Sequence, residues 1–251
     1  ISNPTEVYHL AAQSYVGTSF DQPITSGEFS GLAVARILEG IRQFNPKIKF
    51  YQASSSEMFG LEKSLIKNES TPFDPISPYA VAKLHGYYLV RLYRNAFGMF
   101  AANGILFNHE SPLRGLEFVT RKITNSVARI KLGLQKNLVL GNLSVKRDWG
   151  YAPDYVEGVW QMMQQKKPDD FVLATNETHS VEEFAKEACK IADVPYSVVK
   201  SSKTNFRPFD IETQKGDYSK ARKKLGWKPK TTFKEIVKIM VEEDIQRLNT
   251  S

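Results

Sequence analysis

The chain has a single cysteine, Cys189, among 251 residues. It cannot close an internal disulfide and gives no metal site by itself, so the default expectation is a reducing, cytoplasmic setting. No run of about 18 apolar residues occurs, which excludes a transmembrane helix. The opening six residues, I-S-N-P-T-E, carry no basic segment and no apolar stretch of the kind that directs secretion. None of the 15 glycines falls in a G-x-G-x-x-G pattern. A dinucleotide-binding α/β domain is expected to open with such a turn, where backbone N–H groups at a helix N-terminus meet the pyrophosphate. There is no internal repeat and no low-complexity linker.

What is present is the composition of an ordinary globular protein, 41% hydrophobic and 24% charged. At roughly 100–200 residues per domain the length suits one large or two small domains. The formal net charge is +7, but the excess is local. Eight Lys/Arg face one acid between residues 114 and 147, and nine face two between 215 and 238. No nucleic-acid reading motif accompanies them. The first stretch is explained as well by one small phosphorylated ligand, and the second by a solvated helix face.

Short β-like runs alternate with amphipathic helical ones. Strands are expected over 6–12, 48–54, 137–140 and 171–174, with another ending at Leu106. Helices are expected over 28–44, 78–97, 118–134, 153–165 and 232–248. In the first of these helices the apolar face reads as Phe29, Leu32, Ala33, Ile37, Ile41 and Phe44. Ser77-Pro78 starts the second, with proline where its missing N–H costs nothing. Ser180 and Glu183 form a capping box that opens a further helix to about residue 193. This alternation predicts an α/β fold with a doubly wound parallel sheet.

The strongest chemical constellation is Tyr79 and Lys83, four apart and so on one helix face. A lysine ammonium beside a phenol favours the phenolate and makes it usable as a general acid/base. Ser55 and Glu57 follow a buried strand, at the carboxyl end where doubly wound sheets bind ligands. There Ser55 can hydrogen-bond a substrate oxygen and Glu57 can act as a base on carbon. Taken alone, the serines could merely end the strand and Glu57 could be solvated.

Seven segments then occur in order: L-A-A-Q-S (10–14), Y-Q-A-S-S-S-E-M-F-G (51–60), S-P-Y-A-V-A-K (77–83), N-G-I-L-F-N-H-E-S-P (103–112), F-V-T-R-K-I (118–123), R-D-W-G (147–150) and L-G-W-K-P (225–229). Together they resemble the GDP-mannose 4,6-dehydratase family of extended short-chain dehydrogenases/reductases, from residue 4 to about 246. Y-x-x-x-K and L-G-W-x-P are shared across that superfamily. N-H-E-S-P followed by F-V-T-R-K-I is far more specific.

The resemblance implies a Rossmann-like fold with a smaller α/β C-terminal substrate-binding region. Residues 1–110 would be the remainder of the dinucleotide-binding domain, with contributions from about 144–176, and 111–251 mainly the nucleotide-sugar-binding region. It implies NADP as cofactor and GDP-mannose as substrate. Tyr79 would take the hydroxyl proton at carbon 4 while hydride leaves to NADP, and Lys83 would keep the phenol ionised. Glu57 would remove the proton from carbon 5 and assist loss of water from carbon 6, to which hydride returns. The product would be GDP-4-keto-6-deoxymannose. Ser55 stands where the family often has threonine.

The resemblance also implies cofactor contacts from Leu10, Ala11, Ala12, Ser14, Tyr79, Lys83, His109 and Arg114, and substrate contacts from Asn108, Lys122, Arg147, Arg207 and Asp210. Asp210 replaces a frequent glutamate. Arginine suits a diphosphate because its planar fork makes paired charged bonds. His9, His85, His179 and Cys189 are assigned to packing or surface, and the three tryptophans to core or local anchors. The glycine-rich loop would lie in about 70–80 further residues ahead of residue 1, the size of two βαβ units. A homodimer or homotetramer is expected, with no nucleic-acid, membrane or metal partner. Two alternatives remain: a dehydratase or 4-epimerase for another nucleotide sugar, and a non-catalytic paralogue that only binds one. Glu57 argues against an epimerase, which needs no base at carbon 5, and the intact Ser55/Glu57/Tyr79/Lys83 set argues against the paralogue.

Overall fold

The computed structural model describes residues 3–205 and 211–250. Strand β1 (Glu6–His9) leads through α1 (Val16–Asp21), α2 (Pro23–Gly27) and a π-helical turn (Glu28–Leu32) into α3 (Ala33–Phe44). β2 (Lys49–Ser55) ends in a 3-10 turn (Ser56–Phe59), and α4 (Pro78–Phe97) and β3 (Ala101–Leu106) follow. Next come β4 (Asn108–Glu110), α5 (Val119–Lys131), β5 (Leu138–Leu140), β6 (Lys146–Arg147), β7 (Trp149–Tyr151), α6 (Ala152–Met163) and β8 (Asp170–Leu173). The chain continues through β9 (His179–Ser180), α7 (Val181–Ala192), β10 (Val199–Ser201), β11 (Thr213–Gln214), α8 (Ser219–Leu225) and α9 (Phe233–Thr250).

The main sheet is parallel throughout, in the order β1-β2-β3-β8. Its central strands are buried on both faces, as a sheet covered by helices on each side requires. Alternate residues point to opposite faces. Phe50 and Ala101 pack with Val34, Leu38 and Val90 of α3 and α4. Their neighbours Tyr51 and Ala102 pack with Tyr155, Val159 and Met162 of α6 and with Trp227. This is the doubly wound arrangement expected from the sequence. A third core joins α5, α7 and α9 around Ile123, Phe184 and Val237, with Trp149 at its edge.

Local signals explain the helix starts. Ser77 Oγ accepts the Ala80 N–H at 3.1 Å with Pro78 at the first helical position, a cap worth about 1 kcal/mol. Both halves of the Ser180/Glu183 capping box form, at 3.0 and 2.8 Å. Among the described residues no helix is long and apolar enough to cross a membrane.

Two expectations need correction. Ile41 is buried as expected, but Phe29, Leu32 and Phe44 are exposed, and the other buried positions are Ser26, Ser30, Gly31, Val34 and Leu38. A π-helical turn at 28–32 inserts a residue and rotates the face. The small Ser30 then sits close to Gly86 of α4, where an added Cβ would lie 3.0 Å from Val34 Cγ2 and 3.6 Å from the Ser30 carbonyl. Close helix approach, not the largest apolar side chains, decides which face turns inward. Trp149 and Trp227 are buried, but Trp160 is exposed, one position past the core-facing Val159 on α6.

Candidate active site

A cavity of about 690 Å³ opens at the carboxyl ends of the sheet strands. β2 delivers Ser55 to it, and the 3-10 turn that follows delivers Glu57. Ser55 Oγ accepts the Glu57 N–H at 3.2 Å, which fixes the turn. Gly60 closes that turn at φ +52°, and a Cβ there would stand 1.6 Å from the Asp74 carbonyl oxygen, so only glycine fits. The first two turns of α4 place Tyr79 and Lys83 on the same cavity, both buried.

The electrostatics differ from the sequence expectation in one respect. Burial pushes the Tyr79 phenol up to about 12, and the nearby Glu57 charge adds to that, whereas a Ser55 hydrogen bond and the Arg114 charge pull it down. Lys83 lies with its Nζ 5.8 Å from the centre of the Tyr79 ring and is itself pushed down to about 8 by burial. Its ammonium donates to the Ala53 carbonyl at 2.8 Å. Burial thus dominates at both groups, because low-dielectric surroundings disfavour the phenolate and the ammonium alike.

The far wall is assembled from distant segments. β4 runs parallel to β7, with Asn108 opposite Trp149 and His109 opposite Gly150. β6 places Arg147, whose Nη1 donates to the Ile211 carbonyl at 2.6 Å. His109 donates its Nδ1–H to the Phe107 carbonyl at 2.9 Å and stacks on Tyr155 at 5.2 Å. Burial lowers its pKa, which favours the neutral ring. The Arg114 guanidinium carbon sits over the Phe118 ring, 3.7 Å from its centre. Lys122 enters from α5. Behind this wall Asp148 is fully buried and accepts N–H groups from Thr175, Asn176 and Gly216 at 2.8–3.2 Å. Burial pushes its carboxyl up to about 6.

Leu10, Ala12, Ser14, Ser55, Glu57, Tyr79, Lys83, Asn108, His109, Arg114, Lys122 and Arg147 therefore meet at one cavity. Ala11 is exposed and does not line it. Arg207 and Asp210 lie outside the described residues. Sequence reasoning missed Tyr15, Glu110, Thr120, Asn142 and Trp149, which also line it. Glu110 was within reach of notice, as the acid inside N-H-E-S-P. The others lacked a local signal.

In the second basic stretch four of the nine cations pair with acids: Lys220 and Lys224 with Asp169, Lys230 with Glu157 and Lys238 with Glu242. Among the described residues no three His, Cys, Asp or Glu side chains gather to hold a metal ion. The cavity suits a large, polar, anionic guest. Asn108 Nδ2 is buried without a hydrogen-bond partner, and Lys83, Arg114, Lys122 and Arg147 bring four cationic side chains to its walls. Those features fit a nicotinamide dinucleotide beside a nucleotide sugar.

Comparison with known proteins agrees. A family model for GDP-mannose 4,6 dehydratase matches residues 2–240. GDP-mannose 4,6 dehydratase 1 of Arabidopsis thaliana is 49% identical over 98% of this chain and 69% of its own length. The GDP-mannose 4,6-dehydratase of Vibrio cholerae is 45% identical, over 97% and 73%. Among solved structures, RMD from Pseudomonas aeruginosa, complexed with NADPH, superposes with a TM-score of 0.89 at 24% identity, over 97% of this chain and 82% of that one. DesIV, a dTDP-glucose 4,6-dehydratase from Streptomyces venezuelae, gives 0.88 at 19%, over 98% and 74%. At these identities the two structures speak for the fold alone.

Proposed function

Because the chain belongs to the GDP-mannose 4,6-dehydratase family, we propose that it converts GDP-mannose to GDP-4-keto-6-deoxymannose with NADP as cofactor. The observation that carries this reading is the convergence of Ser55, Glu57, Tyr79 and Lys83 on one cavity with a cationic far wall. When bound, a nicotinamide cofactor would supply reversible hydride chemistry, accepting from carbon 4 and donating to carbon 6.

The chain's own residues do the remaining work. Ser55 holds the sugar's 4-oxygen, and Tyr79 accepts the hydroxyl proton there. Burial holds the phenol at about 12, so the positive charges around it must lower it for proton transfer at neutral pH. Arg114 already pulls in that direction. Lys83 adds to it while protonated, a condition that fails above about pH 8. Once carbon 4 is a ketone, carbon 5 is acidified, and Glu57 removes its proton and returns it to the leaving hydroxyl of carbon 6; carbon 5 takes up a proton again as carbon 6 is reduced, balancing the one Tyr79 took from the 4-hydroxyl. Asn108, Lys122 and Arg147 hold the GDP moiety, together with Arg207 and Asp210 from the segment outside the described residues. Leu10, Ala12, Ser14, His109 and Arg114, all on the cavity wall, serve the cofactor. NADP is preferred over NAD in this reading, and the assembly is a homodimer or homotetramer in the cytoplasm. Residues 1–110, with about 144–176, make up the cofactor half, and 111–251 mainly the sugar half.

The test is incubation of the full-length protein with GDP-mannose, UDP-glucose and dTDP-glucose, each with NADP or NAD, and with products read by NMR. Loss of the carbon-6 hydroxyl from GDP-mannose alone, faster with NADP, is the expected result. Turnover of only another nucleotide sugar, or inversion at carbon 4 without loss of water, overturns it.

A further inference from the structure

Arg114 reaches the cavity from a turn, not from a helix or strand. Its N–H donates to the Ser111 carbonyl at 3.0 Å, closing the β-turn Ser111-Pro112-Leu113-Arg114. Pro112 occupies the second position, where its fixed φ is favourable. Leu113 N–H donates to Ser111 Oγ at 3.2 Å. Proline has no N–H to offer, so at Pro112 the backbone's polar hold on the body of the protein runs through its carbonyl.

That carbonyl accepts two guanidinium groups. Arg121 Nε of α5 approaches it at 3.1 Å and Arg247 Nη1 of α9 at 2.9 Å. Both arginines are held in turn. Arg121 Nη2 pairs with the buried Asp244 at 2.8 Å, and Asp244 also accepts Thr124 Oγ1 at 2.7 Å. Arg247 Nε donates to Glu243 at 3.0 Å. On its cavity side the turn ends at Arg114, over the Phe118 ring and 3.6 Å from the buried Glu110. α9 supplies no residue to the cavity wall, yet it grips the turn that presents a cavity cation.

We propose that Arg247, acting with the Arg121–Asp244 pair, is a positioning residue for Arg114: the C-terminal helix orients the Ser111–Arg114 turn through the Pro112 carbonyl and so sets the affinity of the cofactor site. The proposal rests on the reading of Arg114 as a cofactor contact. A charged hydrogen bond to a partly buried carbonyl makes a rigid tether, and losing it frees the turn without removing any group from the cavity.

The test uses the full-length protein and the Arg247→Ala, Arg247→Lys and Arg114→Ala variants with the Arg114→Ala/Arg247→Ala double variant. Arg247 is partly exposed, so its replacement is compatible with folding. In cofactor-free Arg247→Ala protein, amide exchange of the segment 111–118 is expected to quicken while the rest of α5 keeps its protection. The equilibrium dissociation constant for NADP is expected to rise about tenfold, the scale of one charge-assisted hydrogen bond, with kcat at saturation preserved. Lysine, which keeps a charged donor, restores part of the affinity. In the Arg114→Ala background the same change adds little, because neighbouring residues acting through one group are not additive. Unchanged exchange in 111–118, or an equal loss of affinity with and without Arg114, overturns the proposal. If Arg114→Ala alone leaves NADP binding untouched, the assignment of Arg114 itself falls and the proposal with it, a result visible with Arg247 intact.

Discussion

The two walls of the cavity are built in contrasting ways. The near wall, Ser55, Glu57, Tyr79 and Lys83, comes from one strand end and the first two turns of one helix. The far wall comes from β4, the 111–118 loop, α5 and β6, joined by the β4–β7 pairing and by contacts of Asp148 with residues 175, 176 and 216. Chemistry at the near wall depends on the identity of a few atoms. Binding at the far wall depends on the relative placement of segments far apart in the chain. Substitutions in the near wall are therefore expected to act on turnover, and those in the far wall on affinity and stability.

The largest effect is expected from Tyr79→Phe, which removes the proton-transfer group and keeps the ring. Turnover should fall toward the upper end of the roughly 10²–10⁴-fold typical for a general acid/base, with GDP-mannose affinity retained. Equal loss of affinity and turnover would erase the distinction between the walls. Glu57→Gln keeps size and loses basicity, so it should cost about 10²–10⁴-fold in product formation while oxidation at carbon 4 still proceeds. Absorbance of the reduced cofactor in a single turnover reads this directly, and near-normal product formation would displace Glu57 from its role.

Behind the far wall the expected signature is in stability against pH. The Asp148 carboxyl sits at about 6 in the folded protein against an ordinary 3.8. The folded state therefore holds the proton more tightly than the unfolded chain does. That contribution is full below about pH 4 and is lost as pH rises through about 6, a swing of about 3 kcal/mol. Asp148→Asn should remove this swing, which urea unfolding at pH 4 and pH 7 would measure as a difference from the wild type. An unaltered difference between the two pH values would mean that Asp148 does not carry it.

The smallest effect is expected at Arg147. Its replacement by alanine should weaken GDP-mannose binding by about 1–3 kcal/mol with kcat little changed, and lysine should rescue only in part because it lacks the planar fork. GDP should compete for the site and a short DNA duplex should not. A steep salt dependence of duplex binding would instead mark a polyanion surface.

These differences track what was legible in the residues alone. Spacing of four on a helix is a local property, so Tyr79 and Lys83 could be paired before any fold was known. Ser77-Pro78 and Ser180/Glu183 announced their helices for the same reason. The short strands β4, β6, β7, β9 and β11 carry two or three residues each and have no periodicity to read. Their pairing is nonetheless what brings Asn108 and His109 beside Arg147. In the segment 28–44 apolar size points correctly to Ile37 and Ile41 but not to Phe29, Leu32 and Phe44, because a π-helical turn and close approach to Gly86 reset the phase.

By itself the sequence determined the alternation of strands and helices, the caps, and the chemical identity of the four groups on the near wall, since each depends on neighbours within a few positions. Tertiary structure alone decided that burial raises the Tyr79 phenol, that Asp148 is a buried junction, and that α9 reaches the turn bearing Arg114. Desolvation and long-range hydrogen bonds depend on what surrounds a group in space, and spacing along the chain does not carry that information.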